Sequence, residues 1–325
     1  MRSCSEPATK MQSQIFKMKR GIKDMDNIFK RTSANWVRYD KYEWKESTDG
    51  VLYLTPAKDA VMSLYNPIKE YEELVLTALG IGLDVMQKKA SMEELKQRIQ
   101  CFAQRFGLLG LMTALPTTPE FITYDAVYLP KNHFIKQETL STEDYLAYFF
   151  PFDKISFVKK GRESMWNTDN REMFAVIMTL QDKPQAVLMS FQKEYAESYE
   201  WITTVFSDWA FTFVTSFLYY QDYDALEEAE RNVYRKGMEC FGGIAPTYHI
   251  ELLDKPTIVW DFHSLMLAIQ MMFSFMITDE NSTLKLCKHC GKIFVASRSN
   301  VQFCSPQCKN QHNVYKCRAK KEDFE

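Results

Sequence analysis

Residues 287–321 read CKHCGKIFVASRSNVQFCSPQCKNQHNVYKCRAKK, and four of the cysteines fall into two close pairs. Cys287 and Cys290 are two residues apart, thirteen residues follow, and Cys304 and Cys308 are three residues apart. Each pair suits a tight turn that presents two sulfurs, and the short connection can bring the pairs together. Four thiolates around Zn²⁺ at about 2.3 Å make a closed, structural site with no position left for substrate. The spacing therefore reads as a zinc site with Cys287, Cys290, Cys304 and Cys308 as ligands, the alternative being buried free cysteines.

The residues between the ligands suggest how the segment folds. Gly291 follows the second cysteine and suits a left-handed turn closing the first pair. Lys292–Val295 and Val301–Phe303 read as two short strands joined by the polar turn Ser297–Asn300. Ser305-Pro306 then reads as the cap and first residue of a helix running to about Lys321, with Cys308 in its first turn. Turn, hairpin and ligand-bearing helix is the order of a treble-clef finger.

At about 100° per residue, Lys309, Asn313, Lys316 and Lys320 fall within about 60° of one another on that helix. They make a polar, basic stripe suited to phosphates and, with Asn310 and Asn313, to base edges. His312 lies on the cysteine side and is the credible substitute ligand. Cys317 lies opposite Cys308 and is not a ligand on this reading.

This stretch resembles the CGNR-type zinc finger at the C-terminus of many bacterial proteins, some described as transcriptional regulators. The likeness rests on the first cysteine pair, Phe294, Phe303-Cys304-Ser305 and Cys308. The eponymous four residues are Cys308-Lys309-Asn310-Gln311 here, so Cys and Asn match while Gly and Arg do not. Tyr53-Leu-Thr-Pro-Ala, Tyr65-Asn-Pro and Phe106-Gly-Leu-Leu-Gly are similar to segments of an uncharacterised bacterial family that ends in such a finger. The resemblance implies a metal-binding C-terminus and no established activity.

Charge is distributed unevenly. Nine of the chain's 40 Lys and Arg lie in residues 284–321 and none of its 42 Asp and Glu, so the remainder carries a net −11. With four thiolates and Zn²⁺ contributing about −2, the finger stays near +7. A basic module on an acidic body suits nucleic acid or an acidic partner. The chain has 325 residues, 46% of them hydrophobic, enough for a substantial core. No hydrophobic leader follows Met1, and the most apolar run, Ser264–Thr278, is too short to cross a bilayer. Cys4, Cys101 and Cys240 stand singly, which suits a reducing, cytoplasmic setting.

Upstream, Met11, Ile15, Met18, Ile22, Met25 and Phe29 form an apolar seam within a basic N-terminal segment, residues 1–35. It reads as a helix lying on its own domain, or as a homodimer seam. Residues 36–280 read as an α-rich body. It would contain an aromatic hairpin over Trp36–Leu54 and a helix from Asn66-Pro67 to about Leu79. A second helix would be capped by Ser91 and Glu94, with Leu95, Ile99, Phe102 and Phe106 inward. A strand is expected within Glu120–Leu129, and a helix capped by Thr142 running to Tyr148. Residues 153–171 read as a loop or boundary, and 174–191 as a hairpin or two helices.

A long helical stretch follows from Tyr195 to Cys240, its aromatic stripe including Trp201, Trp209 and Phe213 and widened by Phe206 and Phe211. Strands Tyr248–Leu253 and Thr257–Trp260 and a core helix over about 262–277 complete the body. The fold class expected is α+β, predominantly helical with short hairpins, plus the finger at 284–321. No phosphate loop, nucleophile elbow or zinc-protease motif occurs, and the five histidines lie outside recognisable catalytic settings. The expected function is nucleic-acid binding, as in transcriptional regulation, with a body that senses or dimerises. The alternatives are docking of an acidic protein partner, or an enzyme body with a purely structural finger.

Overall fold

The structure is a computed structural model that describes residues 32–110, 126–128, 139–152, 195–222, 226–239, 246–262, 264–278, 283–296 and 300–322. The N-terminal seam, residues 153–171 and residues 174–191 lie outside these.

The body opens with β1 (Thr32–Ala34), β2 (Trp36–Tyr39), β3 (Tyr42–Glu46), β4 (Leu52–Pro56) and β5 (Met62–Tyr65). The expected hairpin is present as β3–β4, turning at Ser47, but Trp36–Tyr39 leaves it to pair antiparallel with β5. The reason is burial. Trp36, Tyr39 and Tyr42 are all buried, and splitting the run between two sheets lets each ring reach the core.

Asn66 accepts a hydrogen bond from Ile68 N and starts a short 3-10 turn, Pro67–Glu70, that passes directly into α1 (Tyr71–Met86). This helix continues past the expected end at Leu79 because Ile81 and Leu83 keep its apolar face buried. Helix α2 (Met92–Phe106) carries the full Ser91–Glu94 capping box, buries Leu95, Ile99, Phe102 and Phe106, and stops at Gly107. Gly107 has φ +89°, a backbone region that disfavours any side chain.

Strands β6 (Ala126–Tyr128) and β7 (Thr139–Ser141) pair antiparallel, so the expected strand is present at the end of its range. Ser141, not Thr142, caps α3 (Thr142–Phe149), accepting from Asp144 N at 3.0 Å. The short strand β8 (Glu197–Ser198) adds to β4. The long helical stretch is then two helices, α4 (Tyr199–Asp222) and α5 (Glu228–Glu239). Val205, Phe206, Trp209 and Phe213 form the buried stripe, whereas Phe211 is 60% exposed and does not widen it.

The strands β9 (Thr247–Leu252) and β10 (Pro256–Asp261) form the expected hairpin. The sequence did not suggest that β1 would join β10 in parallel, linking residue 32 to residue 258. Helix α6 (Leu265–Thr278) is buried on nearly all sides, as its unbroken apolar sequence requires. Its Phe273 ring lies 4.1 Å from that of Phe213 on α4.

One close approach sets the spacing of these helices. A Cβ on Gly82 of α1 would stand 2.3 Å from the Phe206 carbonyl oxygen and 2.4 Å from Ala210 Cβ on α4. Gly80, two residues earlier, has nothing within 4 Å of the same position. Gly82→Ala should therefore overpack the α1–α4 contact and destabilise by about 1–3 kcal/mol. Gly80→Ala should stabilise by about 0.5–1 kcal/mol, because alanine is the better helix former. Thermal melts of the two variants should move in opposite directions, and equal shifts would contradict this packing.

Candidate metal centre and its surroundings

The finger begins with β11 (Thr283–Leu286), which pairs antiparallel with β12 (Ile293–Ala296). Cys287 and Cys290 occupy the loop between them. This corrects the expected hairpin, in which Val301–Phe303 was the partner of the 292–295 strand; residues 301–303 form no strand. Apolar alternation explains the choice. Leu284 faces Val295 and Leu286 faces Ile293, so one side of the β11–β12 hairpin is wholly apolar. That side packs on the body core, Leu284 being only 3% exposed. Val301–Phe303 instead runs alongside the cysteine loop, where Gln302 O accepts from Lys288 N at 3.0 Å.

The loop is tied by Gly291 N donating to Cys287 O at 2.9 Å and Cys287 N donating to Lys292 O at 2.8 Å. Gly291 takes φ +70°, the left-handed value that its position demands. The second pair lies where the chain enters α7 (Pro306–Glu322), with Cys304 just before the helix and Cys308 in its first turn. Ser305 Oγ accepts from Cys308 N at 3.2 Å, the cap that fixes that turn.

These two supports bring the four sulfurs together, all within 4.8 Å of one another. Cys290 and Cys304 sulfurs are 3.6 Å apart, and those of Cys304 and Cys308 are 3.5 Å apart. Four thiolates bound tetrahedrally at about 2.3 Å would stand about 3.8 Å from each other, so the donor set fits a single metal ion. Cys287, Cys290 and Cys304 also influence one another's ionisation. Burial opposes ionisation of Cys287, yet N–H groups of Cys290, Cys304 and His289 and the Cys290 thiol hold it at about 6. Desolvation and the neighbouring thiols Cys308, Cys287 and Cys290 push Cys304 up to about 12. The Cys287 thiolate forms readily while Cys290 and Cys304 resist, because each further negative charge in the cluster is opposed by burial and by its neighbours.

His312 does not join the cluster. Its ring packs 5.1 Å from Phe303, while His289 stacks on Tyr315 at 5.7 Å and bonds Gln311 Oε1 at 2.9 Å. These contacts brace α7 against the cysteine loop. Beyond them the helix stands in solvent. Lys309, Asn310, Asn313 and Lys316 are all exposed, as are Val314 and Tyr315. Lys320 lies on the same helix, but its side chain and that of Cys317 fall outside the described ones.

The body carries one buried charged side chain among the described residues, Glu197, which sequence reasoning missed. It accepts from Leu109 N at 3.1 Å, from Gly110 N, and from Tyr195 Oη at 3.1 Å. Leu109 O in turn accepts from Leu265 N at 2.8 Å, at the start of α6. The cavity beside Gly110 and Tyr195 holds about 10 Å³, too little for a substrate. Glu197 therefore ties β8 to the 107–110 loop and to α6. No local pattern marks it, because its partners are backbone groups far away in sequence.

No family model matches the chain, nor does any curated protein or solved structure. Among the described residues, no helix is long and apolar enough to cross a membrane.

Burial, opposed by the three donors, raises Glu197 from 4.5 to about 7. A raised carboxyl favours folding when protonated, so its contribution is complete below 4.5 and lost as pH rises through 7. The unfolding free energy of the wild type should therefore fall relative to that of Glu197→Gln between pH 4.5 and 7. Denaturant titrations giving parallel pH profiles for the two proteins would contradict this.

Proposed function

We propose that Cys287, Cys290, Cys304 and Cys308 hold one structural Zn²⁺ in a treble-clef-like finger, and that this finger binds DNA or RNA. The setting would be a transcriptional regulator whose body senses a signal or dimerises, in a cytoplasm that keeps the thiols reduced. The observation that carries the reading is the surface of α7. Its Lys309, Asn310, Asn313 and Lys316 are exposed together on a helix anchored at one end by the cysteine cluster. Residues 284–321 contain no acidic side chain to neutralise them. Lysines there suit phosphate contacts and the asparagines suit base edges. The likeness to CGNR-type fingers supports the same reading. Exposure of Val314 at 48% favours one second reading, in which α7 meets an acidic protein surface around an apolar spot.

The metal is tested directly. Purified protein should carry one Zn²⁺ per chain by elemental analysis, and Cys287→Ser or Cys304→Ser should abolish it and leave the finger open to protease. A metal-free protein with a protease-resistant finger would exclude the zinc site.

Nucleic-acid binding has its own signature. Neutralising about four phosphates gives log K a slope near −3.6 against log salt. The triple variant Lys309→Glu, Lys316→Glu, Lys320→Glu should lose most of the affinity and flatten the slope while keeping its zinc. Asn310→Ala and Asn313→Ala should change discrimination between sequences more than overall affinity. Absence of binding to mixed DNA and RNA at low salt, with zinc in place, would leave the acidic protein partner as the reading.

A further inference from the structure

A cavity of about 590 Å³ lies between α1, α2 and the cysteine loop of the finger. That is the size of small-molecule pockets in proteins. Leu76 and Ile293 give it partly exposed apolar surface, backed by the buried Ile81, Phe102 and Phe106, and its finger wall runs from Cys290 to Ile293. Four cations line it, Lys89, Arg98, Arg105 and Lys292, against two acids, Glu73 and Asp84. Arg98 pairs with Asp84, and Arg105 bonds Glu73 at 3.0 Å. Lys89 and Lys292 have no carboxylate partner among the described residues, so the pocket holds two uncompensated positive charges above an apolar floor.

Gly80 adds an independent observation. It lines the cavity from the interior of α1, where alanine is the better helix former. Its φ is not positive, and apart from its own stretch of helix nothing lies within 4 Å of where its Cβ would stand. Neither backbone conformation nor packing inside the protein calls for glycine there. What glycine leaves is a bare patch of helix facing the cavity, against which a bound molecule can lie closely.

We propose that this cavity binds a small anionic amphiphile, a free acyl or aryl carboxylate, with its apolar part over Gly80, Leu76 and Ile293 and its carboxylate between Lys89 and Lys292. Because one lysine belongs to the loop after α1 and the other to the finger, the bound anion bridges body and finger. This site stands apart from nucleic-acid binding, since none of its residues belongs to the α7 stripe.

The test uses the full-length, zinc-loaded protein and isothermal titration with decanoate and 4-phenylbutyrate below their aggregation thresholds, with decylamine as the charge-inverted control. At least one carboxylate should bind at one per chain, and decylamine should bind at least tenfold more weakly. Lys89→Glu with Lys292→Glu should weaken the carboxylate tenfold or more and narrow the preference over the amine. Gly80→Leu, whose Cβ meets no neighbour outside its own helix, should weaken it as much while melting no lower than wild type. Equal binding of amine and carboxylate, unchanged affinity in a folded Gly80→Leu variant, or no binding of either carboxylate overturns the proposal. Binding only to phosphatidylglycerol vesicles overturns it in favour of a lipid surface.

Discussion

The contact between Gly82 and the backbone of α4 governs how the molecule is built. Two helices separated by ordinary side chains lie 8–10 Å apart, and a glycine at the crossing lets them come closer. Here the Gly82 backbone meets the Phe206 carbonyl directly, with Ala210 alongside. Helix α1 can then bury Leu74, Val75, Ala78 and Leu79 in the shared core while its other sides serve different neighbours. It touches α2, α6 and the finger strand β12. The finger and the cavity beside it thus take their positions from a helix that is itself positioned by one missing methyl group.

The electrostatic organisation follows from the same arrangement. Acidic side chains are concentrated in the body, and the finger that rests on it is uniformly basic. Attraction between the two is weak where charges are exposed and screened by salt. The apolar side of the β11–β12 hairpin, rather than charge, holds the finger in place. That leaves Lys309 and Lys316 with no acidic side chain within a turn of them on α7.

Much of this was legible in local patterns. The Ser91–Glu94 box, the β9–β10 hairpin, the apolar α6 and the spacing of the four cysteines each carry their signal within about twenty residues. What could not be read depends on distant partners. The parallel pairing of Thr32 with Ile258 leaves no local trace. Glu197 resembles any surface glutamate until the Leu109 and Gly110 amides are brought to it. The finger hairpin departs from its local pattern for a related reason. Lys292–Val295 had apolar alternation on both sides of it, and the strand at 283–286 prevailed because a body surface was waiting for Leu284 and Leu286. Phe211 shows the converse, an aromatic that fits a helical stripe on paper but points into solvent once α4 is set by Trp209 and Phe213.

The seating of Leu284 in the body core has a consequence for how such a protein can change over time. A zinc finger that folds around its metal alone can be copied, moved and appended to unrelated chains, because its outer surface is polar all round. Residues 283–296 instead carry an apolar flank, Leu284, Leu286, Ile293 and Val295, that would be exposed if the segment were cut loose. Without a matching surface those side chains would face water, so the segment is fitted to this body and is not a self-contained unit.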